Sequence, residues 1–505
     1  MPDLEDLVGE RLIIGLPGTT LTDADVRLFR ETRAGGLILY RRNFQSPEQL
    51  LDVLDRLESA LDRRLLVVTD HEGGRVVMLG RGTTIFPDNL AVGMAGEEAF
   101  AHQQGLIEAR ELRRLGVDLN LGPCLDVLTD RYSPNIGIRS YGKDPAVVTR
   151  LGGARIAGMM RGGLSACAKH FPGKGHSPLD AHLRLPTIDS TWQEMHAWHL
   201  PPFLDAVGRG IEAIMTSHPA YPKLDPTAVP ATFSRLIVHD YLRSEVGYRG
   251  VIATDDLEMG AVSETCSIGE AAVRAAAAGH DLLLVCHTEA AQRTAARALP
   301  DAYRAGTLPR RELELAVERV RRLRERRAAR AEGGAPAPDL KGHTLAMVMA
   351  TRAVTVVSPG RADFRPALNG RVAVVFPRLS TLAARITIED ALRDERAWLG
   401  RAFAPVGIDP DVCLVAVEPG EAEIGAAAEL AATADATILF LFDAHLYPSN
   451  RALLEAVRAR ARRLAVVLLR DPYDAALLAR DTLGVTAYGF RLCQLDACIA
   501  RVAYP

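Results

Sequence analysis

The chain has 505 residues, of which 48% are hydrophobic and 24% charged, and its formal net charge is −3. This balance provides no basic surface for nucleic acid or an anionic membrane, and no apolar run approaches the roughly 20 residues that span a bilayer. The length predicts two domains, because one hydrophobic core rarely serves a chain this long. Seven scattered cysteines without a CxxC pair, and an acidic start without a signal-peptide pattern, favour a cytoplasmic protein.

Short apolar runs alternate with helical patterns from residue 10 to residue 330. Near-continuous apolar strands, each followed by a helix, indicate a parallel sheet that is buried on both faces. Eight such units favour a (β/α)8 barrel over an open sheet. The predicted strands are residues 12–15, 36–40, 65–70, 117–121, 166–170, 213–218, 251–255 and 281–286, with helical patterns that include 47–61, 108–115 and 270–278.

A second α/β domain is predicted after a basic helical pattern at residues 310–330. We expect a catalytic barrel at 1–330, a linker rich in Ala, Gly and Pro at 331–342, and a smaller domain at 343–505. Alternating strands and helices there predict an open α/β sheet, flavodoxin-like in outline. Its predicted strands are residues 354–357, 372–376, 413–417, 437–442 and 464–469.

Four polar residues lie at the ends of these later strands. Nothing near them in the sequence completes a catalytic set, so we expect them to be structural. They are Asp443, His445, Arg470 and Asp471.

The loop at residues 169–182 has the sequence KHFPGKGHSPLDAH and follows an apolar run. Its glycines and prolines disfavour a helix, so its polar groups should leave the C-terminal end of a buried strand, where barrels carry their active sites. Asp180 and His182 are two residues apart, and a turn lets the carboxylate meet the imidazole ring. A carboxylate on one ring nitrogen fixes the tautomer and leaves the other nitrogen to move a proton. The pair is therefore predicted to be a general acid/base.

The predicted strand at 251–255 leads into two carboxylates, Asp255 and Asp256. Because successive strand residues point to opposite faces, we expect Asp255 to enter the barrel mouth and Asp256 to cap the next helix. A carboxylate that faces a proton donor across a polar pocket is what glycosyl transfer through a covalent intermediate requires. Further polar residues that could bind sugar hydroxyl groups are Asp70, Arg139, Lys169 and His170.

At these residues the chain resembles family 3 of the glycoside hydrolases, specifically its β-N-acetylglucosaminidase branch. The resemblance runs in the family's order through the whole predicted barrel, whereas the C-terminal part resembles the family's second domain only in outline. The matching motifs are Asp70-x-Glu72-Gly73-Gly74-Arg75, Pro123-x-Leu125-Asp126-Val127, Ile136-Gly137-x-Arg139-Ser140, Lys169-His170-Phe171-Pro172-Gly173-x-Gly175, Asp180-x-His182 and Thr254-Asp255-Asp256-Leu257-x-Met259.

This resemblance implies a retaining exo-β-N-acetylglucosaminidase that needs no cofactor. Its substrates would be GlcNAc-containing fragments from cell-wall turnover, as in peptidoglycan recycling, or chito-oligosaccharides. We expect a monomer or homodimer with a small carbohydrate as its partner, and neither nucleic acid nor membrane. The implied roles are Asp255 as nucleophile, His182 as acid/base oriented by Asp180, and Asp70, Arg139, Lys169 and His170 as ligands of the non-reducing-end sugar.

Two positions depart from the branch pattern, which usually has a histidine at Lys174 and an acidic residue at His176. The support of the acid/base pair and the preferred aglycone are therefore open. Family β-glucosidases typically take their acid from a glutamate outside this loop, so the Asp180-x-His182 pair favours the N-acetylglucosaminidase over that alternative. A neutral imidazole base repels an incoming anion less than a carboxylate would, so phosphorolysis is also an alternative to hydrolysis.

Three other classes of protein fit the sequence less well. A metal-dependent barrel hydrolase generally takes an HxH pair from its first strand, and residues 12–15 offer none. A nucleotide-binding loop would need a Ser or Thr where Asp144 stands after the GxxxxGK match at 137–143. A non-catalytic carbohydrate-binding protein would need stacking platforms, but only 5% of the residues are aromatic. Candidate metal ligands for the first class are His170, His176, His182, His218 and Asp255.

Overall fold

The computed structural model of the protein describes most of both predicted domains. Asp180 and His182 lie outside the described residues, and so does most of the predicted linker at 331–342. The described residues are 3–129, 133, 135–177, 185–325 and 340–504.

The N-terminal part forms a barrel of eight parallel strands. Strands that follow one another along the chain are neighbours in the sheet, and the last strand pairs with the first. Backbone hydrogen bonds close the remaining seam, from Thr254 N to Leu282 O and from Leu257 N to Leu284 O, each 3.0 Å. In chain order the strands are β1 Leu12–Gly15, β2 Gly36–Leu39, β3 Leu66–Thr69, the short ribbon β4 His71–Gly73 and β5 Val76–Val77, then β6 Leu119–Asn120, β7 Ser165–Phe171, β8 Ala213–Thr216, β9 Val251–Ala253 and β10 Leu283–Val285.

All eight predicted barrel strands are present, and their side chains explain why the runs are apolar throughout. Residues two apart on one strand, such as Leu66 and Val68, belong to one buried core, because successive side chains of a strand point to opposite faces. The intervening residue Val67 is also fully buried. Both faces of each strand are therefore dry, which is typical of a barrel covered by helices.

Helices follow the strands, and residues next to a helix terminus can fix where the helix begins. Ser46 accepts a hydrogen bond from Gln49 N at 3.2 Å and Pro47 occupies the first turn, so this helix begins where the sequence predicts. No helix in the described ranges is both long and apolar enough to span a bilayer. The α-helices of this half are Leu4–Gly9, Asp23–Thr32, Pro47–Leu61, Asn89–Ala95, Glu98–Arg114, Pro145–Arg161, Trp192–Glu194, Pro201–Gly208, Gly260–Ser263, Ile268–Ala278, Glu289–Arg304 and Arg310–Glu325, with π-helical segments Met195–His199 and Leu236–Glu245 and 3₁₀ turns Arg41–Asn43, Gly137–Arg139 and Ala231–Phe233.

The C-terminal part contains a six-stranded sheet. Counted from its second strand in the chain, the parallel strands have the order 2-1-3-4-5, which is the flavodoxin-like order, and one antiparallel strand is added at the edge. The strands are β11 Thr355–Pro359, β12 Val372–Pro377, β13 Asp411–Val415, β14 Ala436–Leu441, β15 Leu464–Leu468 and β16 Leu483–Thr486, and the α-helices are Leu340–Ala353, Phe364–Ala367, Glu395–Phe403, Glu421–Thr433, Pro448–Arg460 and Leu492–Ala503. The predicted fold class, a barrel followed by an open α/β domain, is confirmed, although β16 was not predicted.

The chain divides into two compact units that do not follow the chain order strictly. The second unit takes in two segments of the N-terminal half, 73–80 and 85–96. Within it, Arg491 Nε donates to Gly74 O at 2.7 Å and Arg75 N donates to Asp88 Oδ1 at 2.8 Å. The first unit comprises Met1–Glu72, Arg81–Thr84 and Glu97–Leu340, and the second Gly73–Gly80, Ile85–Gly96 and Lys341–Pro505. The boundaries predicted at 330 and 343 stay a prediction.

Candidate active site

Four of the predicted site residues lie at or near the carboxyl ends of barrel strands, which meet at one face of a barrel. Asp70 follows β3, Lys169 and His170 lie within β7, and Asp255 is the second residue after β9. Arg139 lies in a 3₁₀ turn, and its side chain donates to Glu72, which Lys169 also contacts. The other two predicted residues, the acid/base pair, are not among the described ones.

A buried carboxylate, Glu72, links two of the predicted sugar ligands. Arg139 donates two hydrogen bonds to its carboxylate, at 2.7 and 2.8 Å, and Lys169 Nζ lies 2.7 Å from Glu72 Oε1. Lys169 also bonds Asp70. Burial by itself would raise the pKa of Glu72, but Arg139 and Lys169 outweigh it and hold that pKa well below its usual range. The four side chains therefore form one charged network.

His170 is oriented by a second buried carboxylate, Asp126. The His170 Nδ1 atom lies 2.6 Å from Asp126 Oδ2, and the same oxygen accepts from the backbone N–H of His170 at 3.2 Å. The ring therefore presents Nε2 on its other side, where Arg139 Nη2 lies 3.4 Å away. Asp126 Oδ1 accepts from Lys174 N at 2.6 Å. One carboxylate thus holds both the end of β7 and the start of the loop that follows.

Asp255 is the carboxylate that the sequence places in the barrel mouth. Its side chain is 19% exposed, and Lys174 Nζ lies 3.8 Å from Oδ2. Its Oδ1 accepts from the backbone N–H of Asp256 at 2.9 Å. A carboxylate that is mostly desolvated, held at one oxygen and still partly exposed to solvent can act as a nucleophile.

Asp256 does not cap a helix as predicted. Its Oδ1 accepts from Glu258 N and from Cys286 N, each at 3.2 Å, and so joins the turn after β9 to the end of β10. The next helix begins at Gly260 with Met259 at its cap position. The carboxylate is too far back in the chain to reach that helix terminus.

Two glycines explain how the loop after β7 comes so close to its neighbours. A Cβ atom on Gly175 would lie 1.9 Å from Val127 O, which excludes any side chain there. Gly173 has a φ of +119°, and a Cβ on it would lie 2.8 Å from the Cβ of His199. The spacing Gly173-x-Gly175 is therefore a packing requirement, and it places Lys174 between the two contacts.

The two residues that depart from the family pattern point to different places. Lys174 is buried and approaches Asp255. His176 stacks on His199 with ring centroids 3.9 Å apart, and its Nε2 lies 2.9 Å from Ser190 Oγ. Lys174 therefore approaches a predicted catalytic residue, whereas His176 contacts His199 and Ser190, which have no predicted catalytic role.

In the described part of the chain, one group of side chains could hold a metal ion: Cys124, Asp126 and His170, whose ligand atoms all lie within 4.8 Å of one another. Asp126 already accepts hydrogen bonds from His170, Lys174 and the Cys124 thiol, the last at 3.1 Å. A cation would have to displace these bonds. His218, proposed above as a ligand of a metal hydrolase, instead bonds Thr232 Oγ1 at 2.7 Å and Asp256 O at 2.9 Å.

The polar strand ends of the second unit bond mainly to one another. Asp443 Oδ2 accepts from Arg470 Nη1 at 2.6 Å. Asp474 Oδ1 lies 2.8 Å from His445 Nδ1 and also accepts from His445 N at 2.7 Å. Arg470 lies 3.6 Å from Asp471. These contacts join the loops that follow β14 and β15.

Comparison with known proteins agrees with this architecture. The family model of the glycosyl hydrolase family 3 N-terminal domain matches residues 10–323. A β-hexosaminidase from Alkalilimnicola ehrlichii is 37% identical over 296 residues, covering 57% of this chain and 84% of that protein. One from Idiomarina loihiensis is 35% identical, covering 55% of this chain and 84% of that protein.

A solved family 3 β-N-acetylglucosaminidase from Paenibacillus sp. is similar to this chain, with a TM-score of 0.92 and 30% identity, covering 100% of this chain and 97% of that one. The family match and these relatives, rather than the architecture alone, identify the class of protein as an enzyme that hydrolyses glycosidic bonds. The chain belongs to glycosyl hydrolase family 3 and is a glycoside hydrolase.

Proposed function

We propose that this chain is a retaining exo-β-N-acetylglucosaminidase that removes terminal GlcNAc through a glycosyl-aspartate intermediate. The observation that carries the proposal is the Asp255 carboxylate, 19% exposed and 3.8 Å from a buried ammonium, in a chain related to β-hexosaminidases. The relatives supply the substrate class, and the carboxylate supplies a nucleophile at a strand end where barrel enzymes carry their chemistry.

The proposed reaction has two steps. Asp255 attacks the anomeric carbon while protonated His182 gives its proton to the departing aglycone oxygen. Neutral His182 then removes a proton from water, whose oxygen attacks the anomeric carbon and releases Asp255. Asp180 holds the imidazole ring throughout.

The charged network is proposed to bind the terminal sugar. In this network Asp70 offers an anionic acceptor, Lys169 and Arg139 offer cationic donors, and Glu72 fixes both cations by hydrogen bonds of 2.7 to 2.8 Å; the ring of His170 adds a further polar group beside Arg139. Groups that are already held in place lose little freedom when a hydroxyl group binds, so they favour one orientation of the sugar.

We propose cell-wall fragments that carry GlcNAc, or chito-oligosaccharides, as substrates, with a role in peptidoglycan recycling in the cytoplasm. The seven cysteines support this location, because all are free and five are buried, as suits a reducing compartment. The enzyme is proposed to act without a cofactor, as a monomer or homodimer.

Product identification tests the proposal. The enzyme should release free GlcNAc from an aryl N-acetyl-β-glucosaminide at the same rate with and without phosphate, and should act poorly on the aryl β-glucoside. GlcNAc-1-phosphate as the main product would assign a phosphorylase instead, and a preference for the glucoside would assign a β-glucosidase. A fluorinated N-acetylglucosaminyl substrate that leaves the nucleophile slowly should label one peptide, and mass spectrometry should find the label on Asp255.

A further inference from the structure

Lys174 is an unusual side chain to find beside a candidate nucleophile. It is 2% exposed, and its Nζ lies 3.8 Å from Asp255 Oδ2. Its position is fixed from the backbone, because Lys174 N donates to Asp126 Oδ1 at 2.6 Å and Tyr221 donates to Gly173 O at 2.9 Å. A buried ammonium held this way cannot move far from the carboxylate.

Several titratable side chains from different elements interact electrostatically with Asp255. Besides Lys174 they are Asp70 after β3, Cys167 on β7 and His218 after β8. Burial lowers the pKa of His218 and raises that of Cys167, which favours the neutral form of both. Burial also raises the pKa of Asp70, which adds a like charge where it is ionised. Burial also lowers the pKa of Lys174, but the Asp255 carboxylate acts in the opposite direction.

We infer that Lys174 is a positioning residue for the nucleophile: its ammonium keeps the Asp255 carboxylate ionised in the free enzyme and stabilises that carboxylate as it leaves the sugar. The inference rests on the proposed function, which makes Asp255 the nucleophile. Lysine stands here in place of the histidine usual in the family branch, so the site gains a full positive charge where a ring would be neutral or partly charged.

The positive charge of Lys174 favours the second chemical step, in which Asp255 leaves the sugar. When the intermediate is hydrolysed, the water oxygen bonds to the anomeric carbon, the bond from that carbon to the Asp255 oxygen breaks, and its electron pair stays on Asp255. The proton of the water passes to His182. A neutral ester thus becomes a carboxylate beside an ammonium, which the opposite charge favours in a poorly solvated site. Lys174 should therefore speed the second step and keep the intermediate from accumulating.

The first experiment measures kcat/KM against pH for an aryl N-acetyl-β-glucosaminide, because this quantity reports ionisations of the free enzyme. Lys174→Met should move the acid limb upward by about 1 to 3 pH units, the usual effect of an opposite charge within 4–6 Å of a carboxylate. Lys174→Arg should stay near the wild-type profile, and Lys174→His should lie between. Lys223→Met, at a lysine whose side chain is 46% exposed, is the matched control and should change nothing.

The second experiment follows the first turnover. Lys174→Met should show a burst of aryl alcohol and a GlcNAc adduct by intact mass, at a pH where its nucleophile is ionised, whereas the wild type should show neither. Thermal unfolding of each variant separates a folding defect from a catalytic one, and the arginine variant provides a test if the methionine variant does not fold.

The outcomes separate the inference from the proposed function. A trapped sugar on a peptide without Asp255 would overturn the proposed function, whatever Lys174 does. If Asp255 carries the sugar but the Lys174→Met acid limb coincides with that of Lys223→Met, the inference about Lys174 is wrong. The inference also fails if Lys174→Arg loses activity as fully as Lys174→Met.

Discussion

Parallel strands of both sheets in this molecule end in charged residues, but the two sets of carboxylates differ in their exposure to solvent. After the barrel strands, Asp70 and Asp255 are each 19% exposed although their neighbours are buried. After the strands of the second sheet, Asp443 and Asp474 are 1% exposed. Charged strand ends are thus common to both sheets, but of these four carboxylates the two in the barrel keep an accessible face and the two in the second sheet do not. Accessibility, more than the presence of charge, distinguishes a candidate site from a structural one.

The electrostatic environments differ in the same way. In the barrel, Arg139 and Lys169 overcome the cost of burying Glu72 and hold its pKa low. In the second unit, burial dominates at Asp443 and raises its pKa to about 6 in spite of Arg470. Its second oxygen, Oδ1, is buried without a hydrogen-bond partner in the described part of the chain. Arg139 and Lys169 therefore stabilise the charge of Glu72, whereas burial disfavours the charge of Asp443, as it does that of Asp70 in the barrel.

The strongest test of this contrast removes one carboxylate from each sheet. Asp255→Asn should lower kcat by about 10⁴-fold or more, because loss of a nucleophile removes the covalent route. Asp443→Asn, a change of the same size and charge, should leave kcat within about twofold of wild type. Activity on an aryl N-acetyl-β-glucosaminide measures both. Equal losses in the two variants would show that accessibility is a poor guide to function here.

A histidine pair gives the next contrast. His182→Ala should lower kcat/KM by about 10² to 10⁴-fold, the usual contribution of a general acid/base, and most for substrates with poor leaving groups. For His445→Ala in the second unit, any change in kcat/KM relative to wild type should be the same for good and poor leaving groups. Rates for a series of aryl glycosides of differing phenol acidity provide the measurement. A leaving-group dependence that appears in the His445 variant would reverse the assignment.

Glu72→Gln tests the charged network itself. It leaves Arg139 and Lys169 buried without their shared counter-charge, so we expect a loss of about 3–5 kcal/mol in the free energy of unfolding. Sugar binding should weaken as well, because the cations lose their fixed positions. Denaturant unfolding and KM give the two values. Arg371→Gln, which breaks an exposed pair with Asp411, is the control and should cost less than about 1 kcal/mol.

The smallest expected effect concerns pH. Because the pKa of Asp443 is about 6 in the folded protein against an ordinary value of 3.8, the folded chain takes up a proton between pH 7 and 5 that the unfolded chain does not. Stability should thus rise as the pH falls through 6, by about 1–2 kcal/mol from this group. In Asp443→Asn that increment should be absent. The difference in unfolding free energy between the two proteins, measured at pH 7 and pH 4.5, checks the sign.

The barrel could be predicted from the sequence because each strand is an apolar run of the right length. The strand β16, Leu483–Thr486, was not predicted, because Gly484 separates its two large apolar residues and leaves no continuous apolar run. The helix Pro145–Arg161 has little polar periodicity, because it packs closely on the helix before it: a Cβ on Gly105 would lie 2.2 Å from Arg155 O. Small residues that permit close packing hide the usual helical pattern.

The candidate site was predicted in its parts but not in its connections. Glu72 and Asp126 stand inside the motifs quoted for the resemblance, yet neither was given a role. Their partners lie far away in the sequence: Arg139 is 67 residues from Glu72, and His170 is 44 from Asp126. Spacing predicts neighbours within a loop, as for Asp180 and His182, but a network between different strands becomes visible only in three dimensions.

The membership of residues 73–80 and 85–96 in the second unit has a consequence for any attempt to divide the protein. A gene cut after the barrel would separate these segments from residues 341–505 and would remove contacts such as the 2.7 Å hydrogen bond from Arg491 Nε to Gly74 O. The C-terminal portion expressed alone would be missing part of its own interior. To exchange this unit between relatives, one would therefore have to transfer two pieces of chain together: the C-terminal part and the stretch between the third barrel strand and the helix Glu98–Arg114.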